Sequence, residues 1–351
     1  MTVESRPALR VGPLSLVRRP RMVVVSVAMA AVLVLALCLN IGRGDLSLSI
    51  GDVTQVLFGG GTRAQRFIVL DVRLPRAVTG LIVGAALGIS GALAQSILRN
   101  PLASPDLLGI TAGAGALAVG VIVGSTATVT GIYATVGLPI AALIGGVLTA
   151  AVVYVLAWRG GAEGYRLVLI GIGANAMLTA VITWLLVDAK IEDAATAQKW
   201  LNGSLTDGDW STLLPVAVGL LVAGGFALRS VTTLGALRLG EDKARSLGVR
   251  LQAGQGSLLL AAVVLAAVAT SAAGPVGFVA LAAPQIARRV LRSPGEPIIG
   301  SALVGAVLVV ISDVIARTVL PTPLPAGIVT SALGGPFLLY LLIRNNRKVS
   351  V

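Results

Sequence analysis

Histidine is absent from this 351-residue sequence, and cysteine occurs once, as Cys38. Metal clusters built from His and Cys, disulfide bonds and Cys/His catalysis are therefore excluded by count. Lysine is also scarce: it occurs only at positions 190, 199, 243 and 348, and none of these follows a glycine. A phosphate-binding loop requires Gly-Lys followed by Ser or Thr. The chain therefore does not bind ATP through such a loop.

Charged residues make up only 12% of the sequence and aromatic residues 4%, whereas 56% is apolar and 43 residues are glycine. This balance excludes a soluble core with a polar surface and indicates an all-α membrane protein. The net charge of +12 does not indicate nucleic-acid binding, because the basic residues are scattered between apolar runs. A helical span needs about 20 apolar residues, so the chain accommodates about ten. The runs lie near residues 22–41, 77–98, 102–124, 132–158, 166–187, 211–228, 252–273, 275–287, 298–320 and 325–343.

The distribution of lysine and arginine predicts the topology, since cytoplasmic loops carry the excess. With ten crossings and both termini in the cytoplasm, 19 of the 27 basic residues lie on the inner side. The eighth run is short and contains Pro284, but without it the basic groups at 288–292 and 344–348 would both move outside. We therefore expect a short helix whose broken end is buried in protein. The first run resembles a signal peptide, but it is too long and lacks a small-x-small cleavage site, so we expect it to be retained.

Most of the outer basic residues are concentrated in one loop. Five of the eight lie there, namely Arg43, Arg63, Arg66, Arg73 and Arg76. This local excess runs against the charge rule and needs a cause. The other large outer loop, 188–209, is acidic and is followed by Trp210, as expected for an amphipathic helix at the membrane interface.

Three glycines, Gly80, Gly84 and Gly88, recur every four residues in the second run. They leave one helix face clear, so that another backbone can approach closely. Tight packing within one bundle is one interpretation, and a conduit or subunit seam is the other.

A transporter driven by an ion gradient usually carries ionisable groups within its spans. Asp313 is the strong candidate here. Arg317 lies four residues later on the same helix face, however, which fits a structural ion pair near the outer end of that helix. Asn175, in the fifth run, fits an interhelical hydrogen bond better than a substrate ligand. Ion coupling therefore has little support.

A separate motor protein would need a cytoplasmic handle, and the segment from Thr232 to Gln252 has that character. Its apolar residues predict two short helices, the first with Leu234 and Leu237 on one face and the second with Ala244 and Leu247 on one face. Gly240 breaks the first helix and Gly248 closes the second. Glu241 and Arg245 suit the dipole of the second helix and could pair. Two short helices at an angle predict a docking surface, with a plain amphipathic loop as the alternative.

Several motifs together resemble the FecCD-type permease subunits of ABC importers for iron siderophores, haem and vitamin B12. The resemblance covers about residues 25–345. It rests on RLPRAVTGLIVGAALGISGALAQ (73–95), RNPLASPDLLG (99–109), LGEDKARSLGV (239–249), AGPVGFVALAAPQIAR (273–288) and LPAGIVTSALGGPFLLYLL (324–342).

The resemblance implies a ten-helix permease with the fold of the vitamin B12 importer, a type II ABC importer. It implies pairing with a second permease subunit, as a homodimer or heterodimer, with the translocation path between the two. It further implies two ABC ATPase subunits in the cytoplasm, which use ATP and magnesium, and an extracytoplasmic substrate-binding protein. The chain itself is then no enzyme and binds no cofactor or metal.

Residue roles follow from the same resemblance. The coupling residues match the helices that fit a cleft in the ATPase: Leu239, Gly240, Glu241, Ala244, Arg245, Leu247 and Gly248. Arg73, Arg76 and Arg317 match arginines that face outward and pair with glutamates of the binding protein, with lipid contact or a local pair with Asp71 or Asp313 as the alternative. Asn100 and Leu102, with Gly164 and Tyr165, match positions near the cytoplasmic gate.

Two departures from the family pattern stand out. Gly164 and Tyr165 replace the Ser or Thr that is common at this part of the gate, and Gln285 replaces a His found after the Pro in many relatives.

The sequence thus predicts a basic cytoplasmic tail over 1–21, a single transmembrane domain over 22–345 with coupling helices at 232–250, and a cytoplasmic tail over 346–351. The predicted function is the permease subunit of an ATP-driven ferric siderophore importer in the inner cell membrane. Vitamin B12 or haem is the alternative cargo. An ion-gradient-driven secondary transporter is the alternative of a different class.

Overall fold

The computed structural model describes residues 8–11, 14–17, 20–44, 46–124, 137–158, 164–206, 208–319 and 322–346. Strands β1 (Ala8–Val11) and β2 (Leu14–Val17) pair antiparallel, with Ala8 opposite Val17. The sequence did not predict this small hairpin in the N-terminal tail. The remaining elements are helices, which confirms the predicted all-α membrane fold.

The helices run in chain order as α1 Pro20–Gly42, α2 Ile50–Leu57, α3 Arg63–Arg66, α4 Leu74–Leu98, α5 Ile110–Gly124, α6 Leu138–Ala157, α7 Gly164–Asp188, α8 Ile191–Leu201, α9 Trp210–Gly219, α10 Gly225–Arg229, α11 Val231–Arg238, α12 Glu241–Ser246, α13 Leu251–Ala273, α14 Val279–Val290, α15 Ile298–Thr318 and α16 Ala326–Asn346. π-Helical segments lead into α4 (Phe67–Arg73) and join α9 to α10 (Leu220–Gly224).

Each of the ten predicted apolar runs overlaps a helix of this set. By length and composition, six helices of the described residues suffice to cross a membrane, or seven if the bent unit of α9 to α11 is one span. Two shorter apolar helices, α5 and α16, and the 12-residue α14 account for the remaining runs. The count of about ten is therefore reached only with short helices. The backbone N–H and C=O groups at the ends of these helices must find hydrogen-bond partners within the protein.

Helix α4 forms the centre of the bundle, and its glycine stripe packs against α15. A Cβ atom added to Gly84 would overlap the backbone of Gly305, and one added to Gly305 would overlap the backbone of Gly84. A Cβ on Gly88 would likewise overlap the carbonyl of Ser301. Because the two backbones touch, only glycine fits at these positions. Tight packing within one bundle is thus the correct interpretation of the stripe.

The break between α13 and α14 is enclosed by two other loops. Gly274 has a φ of +67° there, and a side chain on it would overlap the carbonyl of Trp200. Ser204 N donates to Ala273 O at 2.7 Å, and Gly327 N donates to Gly203 O at 3.0 Å. These bonds satisfy backbone groups that lipid could not satisfy. The short eighth segment therefore has its broken end buried in protein, as predicted.

Helices at the rim bury little of their surface. The apolar stretches of α1 and α7 are each only 11% buried, whereas that of the helix containing α4 is 89% buried. Such extensive apolar faces require an apolar cover. Lipid or a second membrane subunit would supply it.

Candidate functional site

The coupling segment, which we define as residues 231–248 and which contains α11, α12 and the turn that ends at Gly248, follows α10. The axis bends by 52° between the span ending at Arg229 and α11. Gly240, with a φ of +103°, separates α11 from α12, and Gly248, with a φ of +81°, ends the second turn. Both conformations are in the region that favours glycine. The two predicted short helices and their glycine breaks are therefore present.

The coupling segment buries one set of apolar side chains and exposes another. Leu234, Leu237 and Ala244 are buried against the rest of the chain. Leu239 and Leu247 are 57% and 63% exposed. The predicted common face of Ala244 and Leu247 is wrong, because α12 ends at Ser246 and the following turn directs Leu247 away.

Two of the predicted polar coupling residues, Glu241 and Arg245, belong to α12. The side chain of Arg245 is exposed. That of Glu241 lies outside the described side chains, and so does its predicted pair with Arg245. The two exposed leucines thus give the coupling segment an apolar surface, and Ala244 packs into the buried core of the bundle.

A cluster of charged and polar side chains, which the sequence analysis did not predict, connects the coupling segment to α4. We call it the cytoplasmic ion cluster, and it consists of Ser96 on α4, Arg238 at the end of α11, Arg288 on α14 and Glu296 before α15. Arg238 Nη2 lies 3.3 Å and Arg288 Nη1 3.0 Å from the Glu296 carboxylate, to which Ser96 Oγ donates at 2.8 Å. One signal could have found it, since Glu296 is the only acidic residue between Asp242 and Asp313.

Glu296 is ionised at neutral pH despite its burial. Desolvation raises the pKa of this carboxyl group. The hydrogen bonds from Ser96 and Arg288, together with the charge of Arg238, outweigh that effect, so the pKa lies below its usual value. The carboxylate therefore forms charge-assisted hydrogen bonds to elements from three parts of the chain.

The predicted gate loop begins where α4 ends. Arg99 adopts the left-handed conformation, with a φ of 49°, and terminates the helix. Asn100 Oδ1 then accepts a hydrogen bond from the backbone N–H of Leu102 at 2.9 Å, which closes a tight Asx turn. A 3₁₀ turn over Pro105–Leu108 follows, and Thr111 Oγ1 donates to Asp106 Oδ1 at 3.0 Å. The loop is thus held by its own side chains as it returns toward α5.

The other predicted gate residues start α7. A Cβ atom on Gly164 would lie 3.2 Å from Leu98 Cδ2, so the start of α7 packs against the last turn of α4. The side chain of Tyr165 is 78% exposed. The structure therefore brings Gly164 to the end of α4 that leads into Asn100, whereas the side chain of Tyr165 is exposed.

Farther along α7, the exposed surface is weakly polar. Asn175, Thr179 and Thr183 follow one another at helical spacing, and all three are exposed. The threonine hydroxyls donate to the carbonyls of Asn175 and Thr179, at 2.7 Å and 2.9 Å. A hydroxyl satisfied within its own helix leaves a surface with few strong donors. The structure places Asn175 on this exposed face of α7, where its carbonyl accepts the hydrogen bond from Thr179.

Two of the predicted docking arginines belong to what we call the outer ion cluster, formed by Asn40, Arg76, Asp313 and Arg317. Asp313 is fully buried, with Arg76 Nη2 at 2.7 Å and Arg317 Nη2 at 3.1 Å from its oxygens. Asn40 Nδ2 donates to the same carboxylate at 3.0 Å. The local pairs with Asp313 that the sequence offered as an alternative are therefore formed.

Arg73, the third predicted docking residue, is buried beside this cluster. Its Nη1 donates to Ile41 O at 2.8 Å, and its Nη2 donates to Leu46 O at 2.6 Å. The exposed arginines of the outer loop are instead Arg43, Arg63 and Arg66. Arg73 thus holds the chain on either side of Arg43, at Ile41 and Leu46, and is itself buried.

Gln285, the departure from the family's His, has a structural partner. Its Nε2 donates to Gln95 Oε1 at 2.6 Å, and Gln95 Nε2 donates to Leu281 O at 3.0 Å. Both glutamines are buried. Gln285 thus links α14 to α4 through a satisfied pair of amides, which needs no ionisable group.

These features define a multi-helix membrane protein with two short helices that follow a bent span and with a charged cluster at each end of the bundle. Residues 32–344 match the model of the FecCD transport family. The chain belongs to this family, which confirms the resemblance found in its motifs.

Named relatives agree along nearly the whole chain. The ferric enterobactin transport system permease protein FepG of Escherichia coli K12 is 38% identical over 93% of this chain and 98% of its own. The achromobactin transport system permease protein CbrC of Dickeya dadantii is 41% identical over 91% of each chain. A solved structure described as an inward-facing metal-chelate type ABC transporter matches with a TM-score of 0.78 and 27% identity, over 92% of this chain and 99% of that one.

Proposed function

We propose that this chain is the permease subunit of an ATP-driven importer that carries ferric siderophores across the cytoplasmic membrane. The coupling segment carries this proposal. It presents two exposed leucines, Leu239 and Leu247, and it is bonded to the helix that leads into the gate loop. Because the sequence has no phosphate-binding loop, the energy comes from a separate ATPase that receives this surface in a cleft.

A second permease subunit completes the translocation path. The exposed, weakly polar face of α7 lines that path, and the unburied apolar surface beside it packs against the second subunit. Two ATPase subunits, which use ATP and magnesium, bind the coupling segments of the two permeases. ATP binding then closes the ATPase dimer, moves the coupling segments and rocks the permease halves, so that the gate formed by Asn100, Leu102, Gly164 and Tyr165 changes state.

An extracytoplasmic binding protein delivers the cargo to the outer face. Exposed Arg43, Arg63 and Arg66 provide the positive surface for its acidic residues. The side chains of Arg76 and Arg317 are 16% and 14% exposed and add to it. Long-range attraction of this kind steers association and weakens with salt. With the coupling segment on the cytoplasmic side and the binding protein on the outer side, both termini are cytoplasmic.

The cargo is proposed from the relatives, whose names specify ferric enterobactin, achromobactin and iron(3+)-hydroxamate. A hemin transport permease of Yersinia pestis is 34% identical, so haem is the second candidate.

Uptake from a panel of cargoes tests this assignment. The chain would be expressed with its neighbouring transport genes in cells lacking their own siderophore permeases. We expect iron-55 uptake from ferric enterobactin, the achromobactin complex or a ferric hydroxamate, and none after deletion of the ATPase gene. Uptake of hemin or labelled cobalamin alone would replace the siderophore assignment.

A further inference from the structure

The last residue of α11 connects the coupling segment to two other elements. Arg238 Nη2 donates to Ser96 Oγ on α4 at 2.9 Å and to the backbone carbonyl of Glu296 at 2.9 Å. The same nitrogen lies 3.3 Å from Glu296 Oε2. A single guanidinium group therefore joins α11, α4 and the loop between α14 and α15.

Glu296 forms the centre of this connection. It is one of the few buried acidic side chains of the described residues, and it lies between two arginines from different elements. The side chain of Glu296 is 9% exposed, whereas those of Arg238 and Arg288 are 31% and 42% exposed, so it is the buried carboxylate that becomes unfavourable without its arginines. The positions of α11 and α14 relative to α4 are therefore coupled through one carboxylate.

The connection lies directly before the gate loop in the chain. Ser96 is on the last turn of α4, four residues before Asn100. Arg99 adds a second tie, because its Nη2 donates to Leu237 O at 3.3 Å. Any displacement of α11 that keeps these bonds must therefore move the end of α4 and the start of the gate loop.

We propose that the cytoplasmic ion cluster is the element that transmits movement of the coupling segment to the gate, with Arg238 and Glu296 as positioning residues. This inference rests on the proposed function and adds the route by which ATPase movement reaches the gate. Without the cluster, the ATPase still binds and hydrolyses ATP, but the gate no longer follows it.

The apolar contacts of α11 cannot replace the cluster. Leu234 and Leu237 hold the helix to the bundle, but apolar burial is non-directional and permits sliding between packed helices. The hydrogen bonds from Arg238 Nη2 to Ser96 Oγ and to the Glu296 carbonyl are directional, so they fix both distance and orientation. Burial therefore keeps the coupling segment attached, whereas the cluster fixes its register against α4.

Gly295 provides an independent way to disturb the cluster. A Cβ atom added there would overlap the guanidinium group of Arg238. Gly295→Ala would therefore displace Arg238 while leaving every polar group of the cluster in the chain. This variant complements Glu296→Gln, which removes the charge and keeps the side-chain size.

The test follows the gate with a cysteine-reactive probe, so it needs no cargo. Leu102→Cys is introduced with Cys38→Ser, and the complex with its ATPase is labelled by a fluorescent maleimide, with and without ATP and vanadate. Typical allosteric coupling predicts about a fivefold or larger change in labelling rate for this parent. In Glu296→Gln and in Gly295→Ala we expect the same yield of co-purified ATPase and the same rate of ATP hydrolysis. The logarithm of the nucleotide-dependent change in labelling rate should, however, be less than about half of the parent's value.

Arg292→Gln is the matched control, since Arg292 is an exposed arginine in the same loop, and it should respond as the parent does. If no ATPase co-purifies with the unaltered chain, the proposed function itself is wrong and the inference falls with it. If the ATPase co-purifies and both cluster variants respond as the parent does, only the inference is wrong. Loss of ATPase binding in both cluster variants would also overturn it, because the cluster would then merely shape the docking surface.

Discussion

Leu247→Asp is expected to abolish co-purification of the ATPase while the permease still inserts into the membrane. Leu247 is 63% exposed in the isolated chain, so the new carboxylate costs the fold little. In a closed apolar cleft it would be desolvated without a partner. A hot-spot loss of about 2 kcal/mol or more corresponds to at least about thirtyfold weaker binding.

The measurement is the yield of ATPase retained on the affinity-tagged permease in detergent. Leu46→Asp is the matched control, because Leu46 is 61% exposed but lies in the outer loop. Ala244→Asp is less informative, since Ala244 is fully buried and its replacement would disrupt the coupling segment itself. Retention of the ATPase by Leu247→Asp at the parent's yield would contradict the docking role of this surface.

Asp313→Asn is expected to cause the largest loss of stability among single polar substitutions at the outer face. The change leaves Arg76 and Arg317, whose side chains are 16% and 14% exposed, without the carboxylate between them. Breaking a buried ion pair from one side costs about 3–5 kcal/mol. The lost bonds join α1, α4 and α15, so the outer ends of three helices would loosen together.

Thermal unfolding of the purified permease, followed by size-exclusion chromatography, measures this effect. Asp71→Asn is the control, because Asp71 is an exposed aspartate at the same end of the bundle. Adding Arg76→Gln to Asp313→Asn should restore part of the stability, since fewer unpaired charges remain buried. An unchanged unfolding temperature for Asp313→Asn would show that the outer ion cluster does not stabilise the fold.

The sequence could predict features that depend on local signals. Long apolar runs located the helices, and Gly240 and Gly248 marked the breaks of the coupling segment because their conformations favour glycine. The pair of Asp313 with Arg317 followed from a spacing of four residues. In the glycine stripe of α4, the sequence predicted a close helix contact but not its partner α15.

The sequence could not predict contacts between distant segments. Arg76 is 237 residues from Asp313, and Asn40 is 273 residues away from it. Nothing local indicates that Arg73 is buried or that Gln285 pairs with Gln95. The prediction that Leu247 shares a helix face with Ala244 was wrong for a different reason. A helix boundary that is uncertain by one residue is enough to turn a side chain from the core to the surface.

ATP dependence of transport in proteoliposomes distinguishes an ATP-driven importer from a transporter driven by an ion gradient. The permease complex is reconstituted with ATP inside, and iron-55 uptake is compared for the intact ATPase and for one whose phosphate-loop lysine is replaced. We predict uptake only with the intact ATPase, and no effect of a protonophore. Uptake that persists with the inactive ATPase and collapses with the protonophore would contradict the account and identify an ion-gradient-driven transporter.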